Sequence, residues 1–318
     1  MTAAVSRLSG TSRPVWLVLV LLFAVAWLVV ALDGGNFVAL PNLQNIAQSS
    51  VALGLVAVGQ SLVVLAGSLD LSVAYVVSVS AVTTSVVMNG SAGNIPLGIA
   101  AALAVGAVIG LGNGAAIVGL RVNPFIATLG MSLVVKGILN ALFDNFAGAV
   151  PDEFQALGYD AVAGVPVSVF LLAVVVAVGW FLLHRTKFGY HVYAVGGNVE
   201  AARSSGIRTG RVVVVAHVLA GMCAAASGMF LASRLGAGAP WVGPDGGYDL
   251  ESIAAVVLGG TALAGGRGRL LGTVAAVLML AVLDSVFNQF QANAFVQTLV
   301  RGVIIIGAVA LYAFRERP

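Results

Sequence analysis

Charge is what this sequence most lacks. Only 8% of its 318 residues are Asp, Glu, Lys or Arg, against about 25% in a soluble domain. A 32 kDa globule cannot clothe its surface with so few, which excludes a water-soluble enzyme. Lysine is the scarcest charge: Lys136 and Lys187 stand alone. Neither follows Gly and precedes Ser or Thr, so a G-x-x-x-x-G-K-[ST] phosphate cradle is excluded and this chain binds no nucleotide through such a loop. The single cysteine, Cys223, excludes an intrachain disulfide and a cysteine metal cluster. The three histidines, His184, His191 and His217, show no metal-ligand spacing. With no His-Glu-x-x-His, no Gly-x-Ser-x-Gly and no paired-carboxylate cleft, we expect neither a catalytic centre nor a bound metal or cofactor. The net charge of +3 comes from Arg residues flanking apolar runs, not from a basic stripe, which argues against nucleic acid as a partner.

Apolar residues and glycine fill the space left. The chain is 60% hydrophobic with a mean hydropathy of +1.05, and its 40 glycines have no G-X-Y period, which suits close helix packing in lipid. Arg7 and Arg13 precede an apolar run, Val15 to Leu32, that is longer than the roughly 7–15 residues of a signal-peptide core. Ala24-Val25-Ala26 mimics a cleavage site, but the run continues past it, so an uncleaved first span is expected. Further runs lie at 45–67, 70–88, 96–118, 125–143, 166–183, 212–235, 251–265, 270–288 and 295–312. The composition predicts an all-α, polytopic membrane protein of about ten transmembrane helices, one domain over 1–318, at about 20 residues per span. The run at 251–265 is short and ends among glycines, which suits a re-entrant or broken helix.

Orientation follows from the basic residues, which collect on the cytoplasmic side. Segment 184–211 carries Arg185, Lys187, Arg203, Arg208 and Arg211 against Glu200 alone, whereas 144–165 carries Asp144, Asp152, Glu153 and Asp160 and no basic residue. The first is expected inside and the second outside, with both termini cytoplasmic. Ten spans place every basic cluster, Arg267/Arg269 and Arg315/Arg317 included, on the inner side.

Within the inner segment, Asn198 is a plausible helix N-cap, Glu200 falls in the first turn where the helix dipole favours an acid, and Gly206 is a natural C-terminal stop. The spacing Glu200-Ala201-Ala202, three residues, then Gly206 resembles the E-A-A-x-x-x-G docking loop of ABC importer permeases. More closely, the chain resembles the ribose-type branch of those permeases. The likeness runs through Asn42-Leu43-Gln44-Asn45-Ile46, the stretch from Gly59 to Val73, Val122-Asn123-Pro124-Phe125 up to Gly130, Thr186-Lys187-Phe188-Gly189, Gly196 to Ile207, and Tyr248 to Thr261. Ala74 stands where that branch commonly has Gly, and the I-x-L-P ending of the broader loop is missing after Gly206.

The resemblance implies a non-catalytic permease subunit that moves a monosaccharide or small neutral polyol. It implies a cytoplasmic ATPase using ATP and Mg, an external solute-binding protein and a second permease chain as partners. Asn198, Glu200, Ala201, Ala202, Arg203 and Gly206 become candidate ATPase-docking residues. Gln60, Asp70, Ser72, Asn123 and Pro124 become candidates for the translocation path or a gate. Asp70 lies between apolar runs, where a carboxylate is expensive; it either caps a helix beginning at Leu71 or acts on the solute. Asn113, Asn140, Asn288, Gln289 and Gln297 are further uncharged groups able to meet a polyol. Gly106, Gly110 and Gly114 recur every fourth residue, a packing face. Asp284 and Arg301 are placed to pair across the last two spans. The competing reading is a self-powered secondary transporter using Asp70 or Asp284 for ion coupling; it would need inverted halves, which the sequence does not display.

Overall fold

A computed structural model describes residues 13–315. The helices in chain order are α1 (Arg13–Leu32), α2 (Leu40–Leu65), α3 (Val73–Met88), α4 (Ile95–Gly119), α5 (Pro124–Leu142), α6 (Asp152–Tyr159), α7 (Val167–Arg185), α8 (Lys187–Gly197), α9 (Val199–Ser204), α10 (Thr209–Leu235), α11 (Val242–Asp245), α12 (Tyr248–Leu258), α13 (Leu270–Gln289) and α14 (Ala294–Arg315). Strands β1 (Ala161–Val162) and β2 (Val165–Pro166) form a small antiparallel hairpin.

Among the described residues seven helices are long and apolar enough to cross a membrane: α1, α2, α4, α5, α7, α10 and α13. The other three expected runs become α14, the shorter α3 and the half-length α12. At 1.5 Å per residue α12 is about 16 Å long, roughly half a bilayer core. It stops at a glycine turn in which Gly260 has φ +84° and its N–H donates to the carbonyl of Val257, while Thr261 donates to that of Val256. The chain then continues as irregular backbone to Leu270, with Thr261, Ala262 and Gly265 buried and Gly260, Leu263, Ala264 and Arg267 exposed. The ends of the chain, 1–12 and 316–318, on which cytoplasmic termini rest, lie outside the described residues.

Helix α2 is the axis. Every residue from Ser50 to Leu65 is buried, because its run Val51-Ala-Leu-Gly-Leu-Val-Ala-Val is apolar on all sides and therefore suits the centre of a bundle. Around it α7, α10, α12 and α13 pack, and the outer helices turn Leu17, Leu21, Val108, Ile126, Leu133 and Val174 outward, as lipid-facing surfaces do. Helices α4 and α10 approach most intimately. A Cβ at Gly106 would strike the carbonyl of Gly221, one at Gly110 the carbonyl of His217, and one at Gly114 would lie 2.7 Å from the Cα of Val214. The four-residue glycine spacing thus brings two backbones together over three turns.

The two ends of the bundle differ. One carries α6, the hairpin and the stretch after α10, tied by the paired bonds Ala147 N to Gly238 O at 2.8 Å and Gly238 N to Ala147 O at 2.9 Å; Asp144, Asp152, Glu153 and Asp160 are exposed there. The other carries α8 and α9, with Arg185, Lys187, Arg203, Arg208 and Arg211 exposed.

Candidate functional site

Three places in the bundle concentrate polar chemistry. The first is the α8–α9 segment. Sequence reading placed a helix only in its second half; the first half is also helical, started by Thr186, whose Oγ accepts from Gly189 N. Helix α8 is amphipathic. Val192 and Val195 are buried against Leu62, Leu65, Val212 and Ala216, while Tyr190 is exposed. Helix α9 begins at Asn198, whose Oδ1 accepts from Ala201 N at 2.9 Å. It ends with Gly206 N bonding Arg203 O and Ile207 N bonding Ala202 O, the doubly bonded stop that requires a left-handed residue. Gly206 supplies it at φ +80°, one position beyond the C-cap, Ser205. Ala202 is the buried wedge, and Glu200 and Arg203 are exposed and 3.5 Å apart, an ion pair worth little to stability that leaves both signs on the surface.

This segment is joined to both interrupted helices through glycines. Gly196 packs directly on the carbonyl of Leu65 at the end of α2, the same oxygen that accepts from Gly266 N at 3.0 Å. A Cβ on Gly265 would lie 2.8 Å from the Cα of Gly67. Tyr193 donates to Gly268 O at 3.1 Å. The end of α2, the end of α8 and the loop after α12 therefore meet backbone to backbone.

The second place is the α2–α3 break. Asp70 is 1% exposed. Its Oδ1 accepts from Ser72 N at 2.8 Å and from Ser72 Oγ at 2.6 Å. Asn113 of α4 donates to both carboxylate oxygens, at 3.4 and 3.3 Å, and to Ser72 Oγ at 2.8 Å. His217 of α10 completes the shell: Nδ1 is 3.3 Å from Asp70 Oδ2 and Nε2 is 2.9 Å from Ser68 Oγ. A neutral imidazole protonated on Nδ1 satisfies both contacts at once. Thr128 of α5 accepts from Leu71 N at 3.1 Å and donates to Pro124 O at 2.9 Å. The break is thus pinned to α4, α5 and α10. The expected helix start at Leu71 is corrected: α3 starts at Val73, and its N-cap, Ser72, makes no side-chain cap, because the Ser72 hydroxyl is spent on Asp70. Ser68, Asp70 and His217 follow the order of a hydrolytic triad, but all three are at most 5% exposed, so no substrate reaches them.

The remaining path candidates are scattered. Gln60 is fully buried, and its amide pairs with no group among the described residues. Asn123 is exposed and caps α5 by accepting from Phe125 N at 2.9 Å, with Pro124 in the first turn. Asn140 is exposed, and Gln297 donates to Ala292 O.

The third place is a cavity of about 600 Å³ at the end opposite α9, between α2, α10, α12 and α13. Asn288 and Gln289 line it, together with Asn42, Asn45 and Gln48 of α2. Beside it Arg301 bonds Asp284 Oδ1 at 2.6 Å and Glu251 Oε1 at 2.7 Å, so the expected Asp284–Arg301 partners are together and a second carboxylate joins them. Among the described residues no group of three His, Cys, Asp or Glu is arranged to hold a metal ion.

Residues 42–309 match the family model described as branched-chain amino acid transport system / permease component. The chain belongs to that permease family. The ribose import permease protein RbsC of Escherichia coli strain K12 is 37% identical over 291 residues, 88% of each chain. The L-arabinose transport system permease protein AraH of the same strain is 35% identical over 300 residues, 94% of this chain and 90% of its own. RbsC of Bacillus subtilis strain 168 is 36% identical over 295 residues, 89% of this chain and 88% of its own. No solved structure matches. The family match begins at Asn42, so it includes all three polar places and leaves α1 outside.

Sequence reading of this permease missed His217, Ser68, Thr128 and Glu251. His217 was open to discovery: an ionisable side chain in the middle of an apolar run marks a site by default, and testing histidines only for metal spacing passed over it. Glu251 is hidden because its partnership depends on α12 being a half-helix, which tertiary packing decides.

Proposed function

We propose that this chain is the membrane-spanning subunit of an ATP-driven importer that carries a monosaccharide or similar small neutral polyol across a bacterial cytoplasmic membrane. The observation that carries the reading is the α8–α9 segment. It is a short helix, capped at both ends and charged on its open face, set on a helical bundle whose sequence has no phosphate-binding loop. Such a chain needs a motor, and α9 is where the motor docks through Glu200, Ala201, Arg203 and the turn at Gly206. The sugar class rests on the ribose and arabinose relatives. An external solute-binding protein delivers solute to the acidic end, and a second permease chain, identical or related, completes the path. The secondary-transporter reading has less support, because the carboxylates it needs are engaged: Asp70 by Ser72, Asn113 and His217, and Asp284 by Arg301.

Two measurements test this. Vesicles holding the chain with its ATPase and binding protein should accumulate labelled ribose or arabinose only when ATP is supplied. Vesicles holding the folded chain alone, checked by gel filtration, should accumulate nothing under a proton or sodium gradient. Gradient-driven uptake by the lone chain would sink the reading. For orientation, in a Cys223→Ser background, a cysteine at Gln155 should react with an impermeant thiol reagent added outside, and one at Ser204 should not. Labelling of Ser204 from outside would reverse the assigned sides.

A further inference from the structure

Four polar residues in the first turns of α2 share one face. Asn42, Asn45, Gln48 and Ser49 fall at i, i+3, i+6 and i+7, one face of the helix, and that face lines the cavity. Beyond Ser50 the helix is buried in the core. Facing it, Asp284, Ser285, Asn288 and Gln289 form a second polar face at the end of the otherwise apolar α13. The two faces are joined at one point, where Ser285 Oγ donates to Asn42 Oδ1 at 2.8 Å; Asn42 Nδ2 is held by Phe37 O at 2.7 Å. Asn45, Asn288 and Gln289 make no side-chain hydrogen bond among the described residues. All three are exposed, and they open onto a space of about 600 Å³, within the size range of small-molecule sites, about 300–1,000 Å³.

We propose that this cavity is the first binding site for the solute within the permease, and that Asn45, Asn288 and Gln289 hold its hydroxyl groups. The assignment rests on the importer reading above and moves the site away from Asp70 and Gln60, which are sealed in the core. Each amide offers two donors and an acceptor, and a sugar hydroxyl needs one of each, so a ring bearing neighbouring hydroxyls meets complementary groups from both helices. Tyr248 and Phe230 line the same cavity and supply apolar surface for the C–H face of a ring. Charge selects against cations. Of the two charged residues in the lining, Asp284 is paired with Arg301, while Arg234 lies against the ring of Tyr159, its guanidinium carbon 5.6 Å from the ring centre, and keeps its positive charge. A cation entering the cavity finds no free carboxylate, and a neutral polyol needs none. A smaller cavity of about 180 Å³, lined by Glu251, Asp284 and Arg301, shares Ser49 and Tyr248 with the first. The ionic trio therefore stands directly beside the solute site.

The test uses the full complex of permease, ATPase and binding protein in vesicles, with the permease carrying Cys223→Ser. Asn45→Cys, Gln289→Cys and, as a control on the exposed α6, Glu153→Cys are labelled singly with an impermeant thiol reagent. Labelling is timed with and without saturating D-ribose or L-arabinose, whichever the Cys223→Ser complex takes up. The transported sugar should slow labelling at positions 45 and 289 by tenfold or more and leave position 153 unchanged. In parallel, Asn45→Leu and Asn288→Leu should each lower ATP-driven uptake about tenfold, the effect of leaving one hydrogen-bonding group unmatched, with membrane expression and ATPase attachment retained. ATP-driven uptake together with unprotected cysteines and unimpaired Leu variants would overturn this site and leave the importer reading standing. Absence of ATP-driven uptake of both sugars by the Cys223→Ser complex, when its ATPase is attached and hydrolysing, would overturn the sugar reading and this assignment with it.

Discussion

Replacing His217 with Leu is expected to lower the stability of the folded chain by about 1.5–3 kcal/mol, the range for a hydrogen bond to a charged group. The change leaves the Asp70 carboxylate in the core with Ser72 and Asn113 alone and strips Ser68 of its partner. Asp70→Asn should be milder, about 1–2 kcal/mol, because an amide oxygen still accepts from Ser72 N and Oγ. Joining both losses in Asp70→Leu/His217→Leu should cost less than the two single Leu changes added together, since the second removes the charge that the first strands. Thermal unfolding of the purified chain in one detergent, followed by loss of the monodisperse peak, gives the midpoints of the wild type, His217→Leu, Asp70→Leu, Asp70→Asn and the double Leu variant. A His217→Leu protein that melts with the wild type, or a strictly additive pair, would show that the network does not hold the break.

That network also marks the boundary of what the sequence discloses. Asp70, Ser72 and Asn113 were each singled out from the chain as polar residues in or beside apolar runs. Their union depends on α4 and α10 lying backbone to backbone, which Gly106, Gly110 and Gly114 foretell as a packing face without naming the partner. The partner helix is identified by Gly221 and by His217, whose carbonyl Gly110 touches. Local signals served best where local chemistry decides. Asn198, Glu200 and Gly206 are legible because a six-residue helix must carry its own start and stop. Helix α8 was not legible as a helix, since Gly189, Gly196 and Gly197 speak against one; tertiary packing of Val192 and Val195 overrides that preference.

Span counting met the same limit. Apolar runs show that the chain enters the membrane repeatedly, and the short run at 251–265 with its terminal glycines pointed to the broken helix that α12 is, stopping at Gly259 after eleven residues; which helices surround it the runs do not tell. The polar face Asn42, Asn45, Gln48 was present in the sequence at helical spacing, but Asn42 and Asn45 were read only as part of a family likeness and Gln48 was not singled out. Its meaning emerges when α13 brings Asn288 and Gln289 opposite.

Gly206→Val is expected to abolish coupled transport while the chain still inserts and folds. The residue sits at φ +80° with no atom within 4 Å of the position a Cβ would take, so an added Cβ meets no neighbour. The penalty is conformational. A left-handed backbone costs an ordinary residue roughly 1–2 kcal/mol, and a β-branched one is a poorer fit still. The stop formed by Gly206 N to Arg203 O and Ile207 N to Ala202 O loosens, and α9 loses the geometry that presents Glu200 and Arg203. Because α9 follows directly on the glycine contact of Gly196 with Leu65 and Gly266, motion at the motor surface no longer reaches the ends of α2 and α12 in register. Glu200→Lys attacks the other end of α9 by placing a cation at a helix N-terminus, where about 0.3–1 kcal/mol favours an anion. The decisive control is Gly206→Asn: asparagine tolerates the left-handed region, so it should restore most ATPase attachment and solute-stimulated hydrolysis, which a requirement for a bare backbone surface would not allow. Co-purification with the ATPase, hydrolysis in vesicles and ATP-driven uptake are read for all three variants against equal membrane expression. Wild-type values for Gly206→Val and Glu200→Lys would make α9 an ordinary surface turn, and failure of Gly206→Asn alongside Gly206→Val would replace backbone conformation with close approach by the motor as the reason for glycine.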